Sequence, residues 1–293
     1  MKNISYFLML FTAALLVSMP AAAQNKGLLW QISGKNIKHP TYLYGTIHLF
    51  DTSLYKVPAP VMAKLSQVKK VYFELPFSDG TLAEQRKYAI VADSTQQINK
   101  LMDTASLAKF NAAIKGHPAT KALGAAIYRF KPIFITPMLL TNSKTVTIDM
   151  EMFKQASKQK IAVGGLETVA EQMKAIEAIP MAKQVQMMET FLKEYKGADS
   201  TIKKITEAYV KQDVDNLLEA MGEGEPVDAS FNKTVLVSRN IIMANRINKA
   251  VGGQSTMFAV GAGHLGGADG LIALLRKKGY TLKAIPFKFT KAN

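Results

Sequence analysis

Thr41-Tyr42-Leu43-Tyr44-Gly45-Thr46-Ile47-His48 and Met257-Phe258-Ala259-Val260-Gly261-Ala262-Gly263-His264 are the two stretches on which the reading of this chain turns. Each is an apolar, β-like run that stops in Gly-x-x-His, and the two stand near opposite ends of the chain. Only four histidines occur in 293 residues, and two of them share this setting. Imidazole is the commonest neutral metal ligand and a general base near neutral pH. Glycine lets another backbone or a ligand come close. A third run, Val71-Tyr72-Phe73-Glu74, closes on a carboxylate. Two histidines and a glutamate at strand ends predict a metal site, and with it an enzyme.

Outward from the first motif, Leu28–Ser33 and Thr41–Ile47 flank a turn-rich Gly34–Pro40 segment, the pattern of a hairpin. Pro58 opens a helix through about Gln67, with Pro60 inside the tolerated first turn. From about Thr81 to Asn142 the pattern is helical, broken at Gly116-His117-Pro118 and Lys131-Pro132; its Phe110, Tyr128, Phe130, Phe134 and Met138 read as core. Thr145–Asp149 is β-branched and reads as a strand, Met150–Gln159 as a helix, and Ile161-Ala162-Val163 as a short strand before two glycines. A helical block from Glu167 to about Met221 leads to the loop Gly222-Glu223-Gly224-Glu225-Pro226. Phe231–Val251 then reads as a long helix, Ala268–Lys278 as a shorter one, and Thr281–Ile285 as a closing strand. The fold expected is α/β: one domain whose mixed β-sheet core is built from N- and C-terminal segments, with helical insertions in the middle. A shared site requires those two ends to meet.

Met1-Lys2-Asn3, an apolar stretch from Ile4 to Met19 and Pro20-Ala21-Ala22-Ala23 have the layout of a signal peptide over residues 1–23. Residues 24–293 are then the mature domain, exported to the periplasm or medium and without a transmembrane helix. With no cysteine there is no disulfide framework, thiolate nucleophile or zinc–sulfur site. The leader holds one lysine and no acid, so its removal takes the net charge from +15 to +14. The lysines are scattered and no basic stripe interleaves with aromatics, so nucleic acid is not an expected partner. Loose association with an anionic envelope surface is.

The last residues of the β runs carry the chemistry, as they do in open α/β sheets. They are His48, Glu74, Asp149, Glu167 (after Gly164-Gly165-Leu166) and His264. His39 and His117 each precede a proline and read as surface residues. A His/His/carboxylate set leaves coordination positions open, as catalytic zinc and non-haem first-row metals require. Such an ion supports hydrolysis without a protein nucleophile, and a spare carboxylate serves as general base or orients a ligand. The His-Glu-x-x-His, Gly-x-Ser-x-Gly, Walker A and Rossmann patterns are all absent.

Leu29-Trp30, the Tyr42–His48 run, Val71–Glu74, Thr147-Ile148-Asp149, Gly165-Leu166-Glu167-Thr168 with Glu171-Gln172, Ser238-Arg239-Asn240, Val260–Leu265 and Gly270-Leu271 together resemble the TraB/PrgY/GumN family, in order from about residue 27 to 287. That family includes the Tiki proteins, metal-dependent proteases that trim the amino-terminal part of Wnt ligands. The resemblance implies that His48, Glu74 and His264 match the catalytic set, with Gly45, Gly261 and Asp149 in support. It implies a divalent first-row metal, manganese or cobalt ahead of zinc, and a peptide or protein substrate. Glu167, Arg239 and Asn240 join Glu74 as candidate catalytic residues. Arg239 could bind a substrate carboxylate or steady Glu74 or Glu167, or simply pair or cap a helix; Asn240 could orient a ligand or water. The competing reading is an extracytoplasmic protein that binds a peptide or small ligand in the same cleft without cutting it.

Overall fold

Two six-residue runs, TYLYGT and TMFAVG, are buried along almost their whole length and lie side by side in parallel. The computed structural model describes residues 26–34, 37–220 and 232–293. Within it the strands, in chain order, are β1 (Leu29–Ser33), β2 (Thr41–Thr46), β3 (Phe50–Asp51), β4 (Lys70–Phe73), β5 (Thr145–Val146), β6 (Ala162–Gly165), β7 (Thr256–Gly261) and β8 (Thr281–Ala284). Six form the main sheet in the order β6-β4-β7-β2-β1-β8, while β3 and β5 pair separately. Strands β6, β4, β7 and β2 are mutually parallel, and β1 is antiparallel to both β2 and β8. Strands covered on both faces read as continuous apolar runs, which is why β2 and β7 lack the alternation seen in β8, where Leu282 is buried between exposed neighbours.

The N- and C-terminal β segments therefore meet in the middle of the sheet. Thr41 faces Thr256, Gly45 faces Val260 and Thr46 faces Gly261, so the two Gly-x-x-His motifs leave the same sheet edge one residue out of step. Close approach explains the first glycine. A Cβ built on Gly45 would stand 2.6 Å from Leu265 Cδ1 and 3.1 Å from both Cα and Cβ of Ala262. The main core gathers on the sheet, with Tyr44, Phe73, Phe258 and Leu275 fully or almost fully buried. A second cluster, including Ile98, Phe110, Leu139, Val185 and Met188, holds the inserted helices together, with Tyr128 and Phe130 packed on it.

Several elements differ from the sequence reading. Thr145–Asp149 is a strand only over Thr145–Val146, and Asp149 lies in the first turn of the helix Ile148–Lys158. Thr147 holds extended geometry before that helix, so its β-branched run looks like a longer strand than it is. His117 is not a surface residue: it is buried between two helices, and its Nε2 donates to the Thr141 carbonyl. His39 is exposed as expected. The long helix expected from Phe231 is a π-helix over Asn232–Val237 running into an α-helix over Ser238–Ala250, and Phe231 itself lies outside the described residues. The signal peptide of residues 1–23 and the Gly222–Pro226 loop also lie outside them. No helix among the described residues is long and apolar enough to cross a membrane.

Candidate functional site

Beyond the end of β2 the chain is stitched to the helix carrying Asp149. The Ile148 amide donates to the Ile47 carbonyl at 3.0 Å, and the Thr147 hydroxyl donates to the His48 carbonyl at 3.0 Å. Asp149 then accepts from the Thr46 hydroxyl at 2.7 Å through Oδ1, while Oδ2 lies 3.2 Å from His48 Nδ1. The Asp149 charge and hydrogen bond, acting against desolvation, push the His48 pKa up to about 9. His48 keeps 66% of its side-chain surface, so water tempers that attraction. With Nδ1 turned to Asp149, Nε2 is the remaining ring nitrogen.

His264 follows β7 in a short 3₁₀ turn and is almost fully buried. Its Nδ1 lies 2.6 Å from Asn240 Oδ1, and Asn240 Nδ2 donates to the Asp269 carbonyl at 2.9 Å. A carbonyl only accepts, so the amide nitrogen must face Asp269 and the amide oxygen must face the imidazole. That fixes the proton on Nδ1 and leaves a lone pair on Nε2. Burial, with Arg239 and His48 adding repulsion, lowers the His264 pKa to about 4 although Glu74 opposes it. The ring is neutral at physiological pH.

Glu74 follows β4, next to β7. Its Oε1 accepts from the Gly261 amide at 2.8 Å and lies 3.7 Å from His264 Nε2. Its Oε2 accepts from Arg239 Nη2 at 2.5 Å and from Gln172 Nε2 at 3.2 Å. Burial alone would raise its pKa, but the surrounding cations and the Gly261 amide hold it at about 2. Since His264 is neutral above about pH 4, Arg239 is the cation in direct contact with Glu74 at neutral pH.

The β4 and β6 strands extend far enough to set the two glutamates together, with the Glu167 amide donating to the Glu74 carbonyl at 2.7 Å. Arg239 bridges their side chains, giving Nε to Glu167 Oε1 at 3.0 Å and Nη2 to Glu167 Oε2 at 2.6 Å. Desolvation raises the Glu167 pKa against the pull of Arg239, whereas the two carboxylates keep Arg239 charged despite its burial. Behind them, Arg246 donates to the Leu166 carbonyl at 2.8 Å and forks onto Glu171 at 2.7 and 2.8 Å. Glu171 also closes a capping box with Thr168 at the start of the helix Val169–Glu177.

Every residue singled out from the sequence thus falls in one region at the carboxyl edge of β2, β7, β4 and β6. His48 pairs with Asp149, His264 with Asn240, and Glu74 with both Gly261 and Arg239. Two participants carry no strand-end signal. Gln172 is on a helix, and Tyr209 donates to the Gly45 carbonyl at 2.6 Å while accepting from Tyr44 at 2.8 Å; Thr46 is the last residue of β2 itself. Gln172 adjoins the Thr168–Glu171 capping box, a pattern that could have marked it; Tyr209 stands 164 residues from Gly45 with no local signature.

The donors suit a divalent metal in kind: a neutral His264 with its Nε2 lone pair, a carboxylate, and His48, whose Nε2 becomes a donor once a metal displaces its proton. A common ion about 2.1 Å from each donor would hold neighbouring donors roughly 3–3.5 Å apart, close to the 3.7 Å between His264 Nε2 and Glu74 Oε1. A lone pair and an anionic oxygen facing each other at that distance also favour a cation between them. Among the described residues, no three His, Asp or Glu side chains are already drawn round one point.

The site is thus a set of paired histidines and carboxylates at the carboxyl edge of an α/β sheet. The chain belongs to the TraB/PrgY/gumN family, whose model matches residues 28–284. It is also similar to the metalloprotease TIKI1 of Danio rerio, with 20% identity over 304 aligned positions covering 84% of this chain and 61% of that protein. The chain therefore spans less than two thirds of that relative's length. No solved structure matches it at a significant level.

Proposed function

We propose that this chain is an exported metal-dependent hydrolase, a peptidase in preference, in which His48, His264 and Glu74 hold a first-row divalent ion, manganese or cobalt ahead of zinc. The observation that supports it most is the tautomer imposed on His264. His264 Nδ1–H donates to Asn240 Oδ1, which leaves the Nε2 lone pair beside Glu74 Oε1, the state in which an imidazole binds metal. When bound, the ion supplies Lewis-acid polarisation of a carbonyl and acidifies a water. The protein's own part is to position and to neutralise. Asp149 and Asn240 orient the two rings, and Arg239 keeps Glu74 ionised. Glu167, buried beside Glu74, accepts from Arg239 through both oxygens and so fixes that guanidinium against Glu74.

Similarity to a metalloprotease supports the peptidase preference. Export rests on the leader layout of residues 1–23, and loose envelope association on the positive charge. The binding-protein reading draws on the engagement of both Glu74 oxygens by Gly261, Arg239 and Gln172. The deciding experiment loads the mature protein with each metal and presents a peptide library. Metal-dependent cleavage that disappears in Glu74→Gln supports the hydrolase. Metal and peptide binding without any cleavage supports the binder.

A further inference from the structure

Beside His264 lies a cavity of about 250 Å³ to which no role has yet been given. Gly263 and Asn240 line it on the side of the imidazole, and Asn240 holds that ring through its Oδ1. Val214, Leu218, Leu236 and Val237 supply apolar wall. Among the described residues the charged ones lining it are Asp215 and Asp269, both exposed, so this part of the opening is acidic in a chain whose formal net charge is +15. Asp215 is set in place by the Gly267 amide, which donates to its Oδ1 at 2.8 Å. The absence of a side chain at Gly263 keeps the space open, since a Cβ there would come within 3.0 Å of Leu218 Cδ2. An open, largely apolar groove with exposed carboxylates in its lining fits an unbranched aliphatic stem ending in a cation.

We propose that this cavity is the specificity subsite of the enzyme, taking a lysine or arginine side chain of the peptide next to the bond that is cut. The proposal rests on the hydrolase reading for its catalytic meaning, but not for its binding. The aliphatic stem fills the apolar walls and accounts for most of the affinity. The exposed carboxylates add charge selection, which water keeps modest.

The test has two independent readouts on the full mature chain. In the first, Nα-acetyl-lysinamide, its norleucine analogue and Nα-acetyl-glutamamide are titrated while the amide resonances of Gly263 and Gly267 are followed by NMR. Lysine is expected to perturb them and to bind a few-fold tighter than norleucine and about tenfold or more tighter than glutamate. Asp215→Asn keeps the Oδ1 acceptor for Gly267, so it should shrink the lysine–norleucine difference without loss of fold, and Asp215→Asn with Asp269→Asn should remove it. Leu218→Trp fills the cavity and should abolish binding of both. In the second readout, peptide cleavage should prefer lysine or arginine over glycine by about 10–100-fold, and Leu218→Trp should erase that preference. Selective binding with no cleavage upholds the subsite and overturns the hydrolase. Cleavage that ignores side-chain identity and these substitutions overturns the subsite and leaves the hydrolase standing. Norleucine or glutamate binding as tightly as lysine overturns the charge assignment.

Discussion

Replacing Gly45 with alanine tests whether the two Gly-x-x-His motifs are packed as one unit. The new methyl carbon would meet Leu265 Cδ1 at 2.6 Å and Ala262 at 3.1 Å, against about 3.5–4.0 Å for ordinary carbon contacts. The Leu265 overlap, about 1 Å, concerns the tip of a side chain that is itself fully buried, and the Ala262 contact includes backbone. Both neighbours are buried, so accommodation must come from shifts within the core. Overpacking of this kind costs about 1–3 kcal/mol. The loss of glycine's freedom in the unfolded chain returns roughly 0.4–1 kcal/mol. A net destabilisation of about 1–2 kcal/mol is therefore expected, read from urea unfolding at unchanged m-value. The decisive part is the cycle with Leu265→Ala, which alone should cost about 2–5 kcal/mol. In the double variant the alanine methyl occupies part of the vacated space. The two costs should then fall short of additivity by at least about 1 kcal/mol. Strict additivity, or a Gly45→Ala protein as stable as the parent, would show that the motifs do not press on each other and would refute the reasoning.

Replacing Tyr209 with phenylalanine removes the donor to Gly45 and the acceptor for Tyr44 without a cavity. A loss of about 2–3 kcal/mol is expected, seen as a lower melting temperature. Asn240→Leu strips His264 of its Nδ1 partner, and metal affinity measured against a competing chelator should fall about 10–100-fold while the circular dichroism spectrum is kept; undiminished affinity would remove His264 from the ligand set. Arg239→Met leaves Glu74 and Glu167 facing each other without their shared cation, so unfolding free energy should drop by about 3–5 kcal/mol. Glu171, held at a pKa of about 2 first by its hydrogen bond to Arg246, should contribute stability that is present above about pH 4.5 and lost as pH falls towards 2. Its partial exposure limits the effect to about 1 kcal/mol. Melting scans between pH 6 and 3 should show the Glu171→Gln protein with a correspondingly flatter acid slope.

The strands that build the site were legible because β2, β4 and β7 are short apolar runs bounded by glycine, proline or charge. Their side-by-side order was a requirement of the metal hypothesis rather than something the residues themselves displayed. Asp149 was picked out, yet for the wrong local reason. A β-branched Thr145–Ile148 run looks like a strand, but only its first two residues pair with β3, and contacts to Ile47 and His48 turn the rest into a helix start. His117 looked like a loop residue because Gly116 and Pro118 flank it, although it is buried at the junction of two helices with its ring on the Thr141 carbonyl. Gln172 and Tyr209 reach the site across 98 and 164 positions respectively. Tyr209 acts by tertiary placement and nothing in its immediate neighbours announces it, whereas Gln172 has the capping box beside it.

The position of β7 has a consequence for the order of synthesis. It is the strand that joins β6 and β4 to β2 and β1, yet its residues are among the last to leave the ribosome. Until they arrive, the two halves of the sheet have no common member, and Glu74 lacks both the Gly261 amide and the imidazole beside it. Pairings across so great a sequence separation form slowly. A nascent or prematurely ended chain thus carries His48 and Glu74 without the Gly261 amide and the His264 imidazole, so the site is completed only in finished molecules.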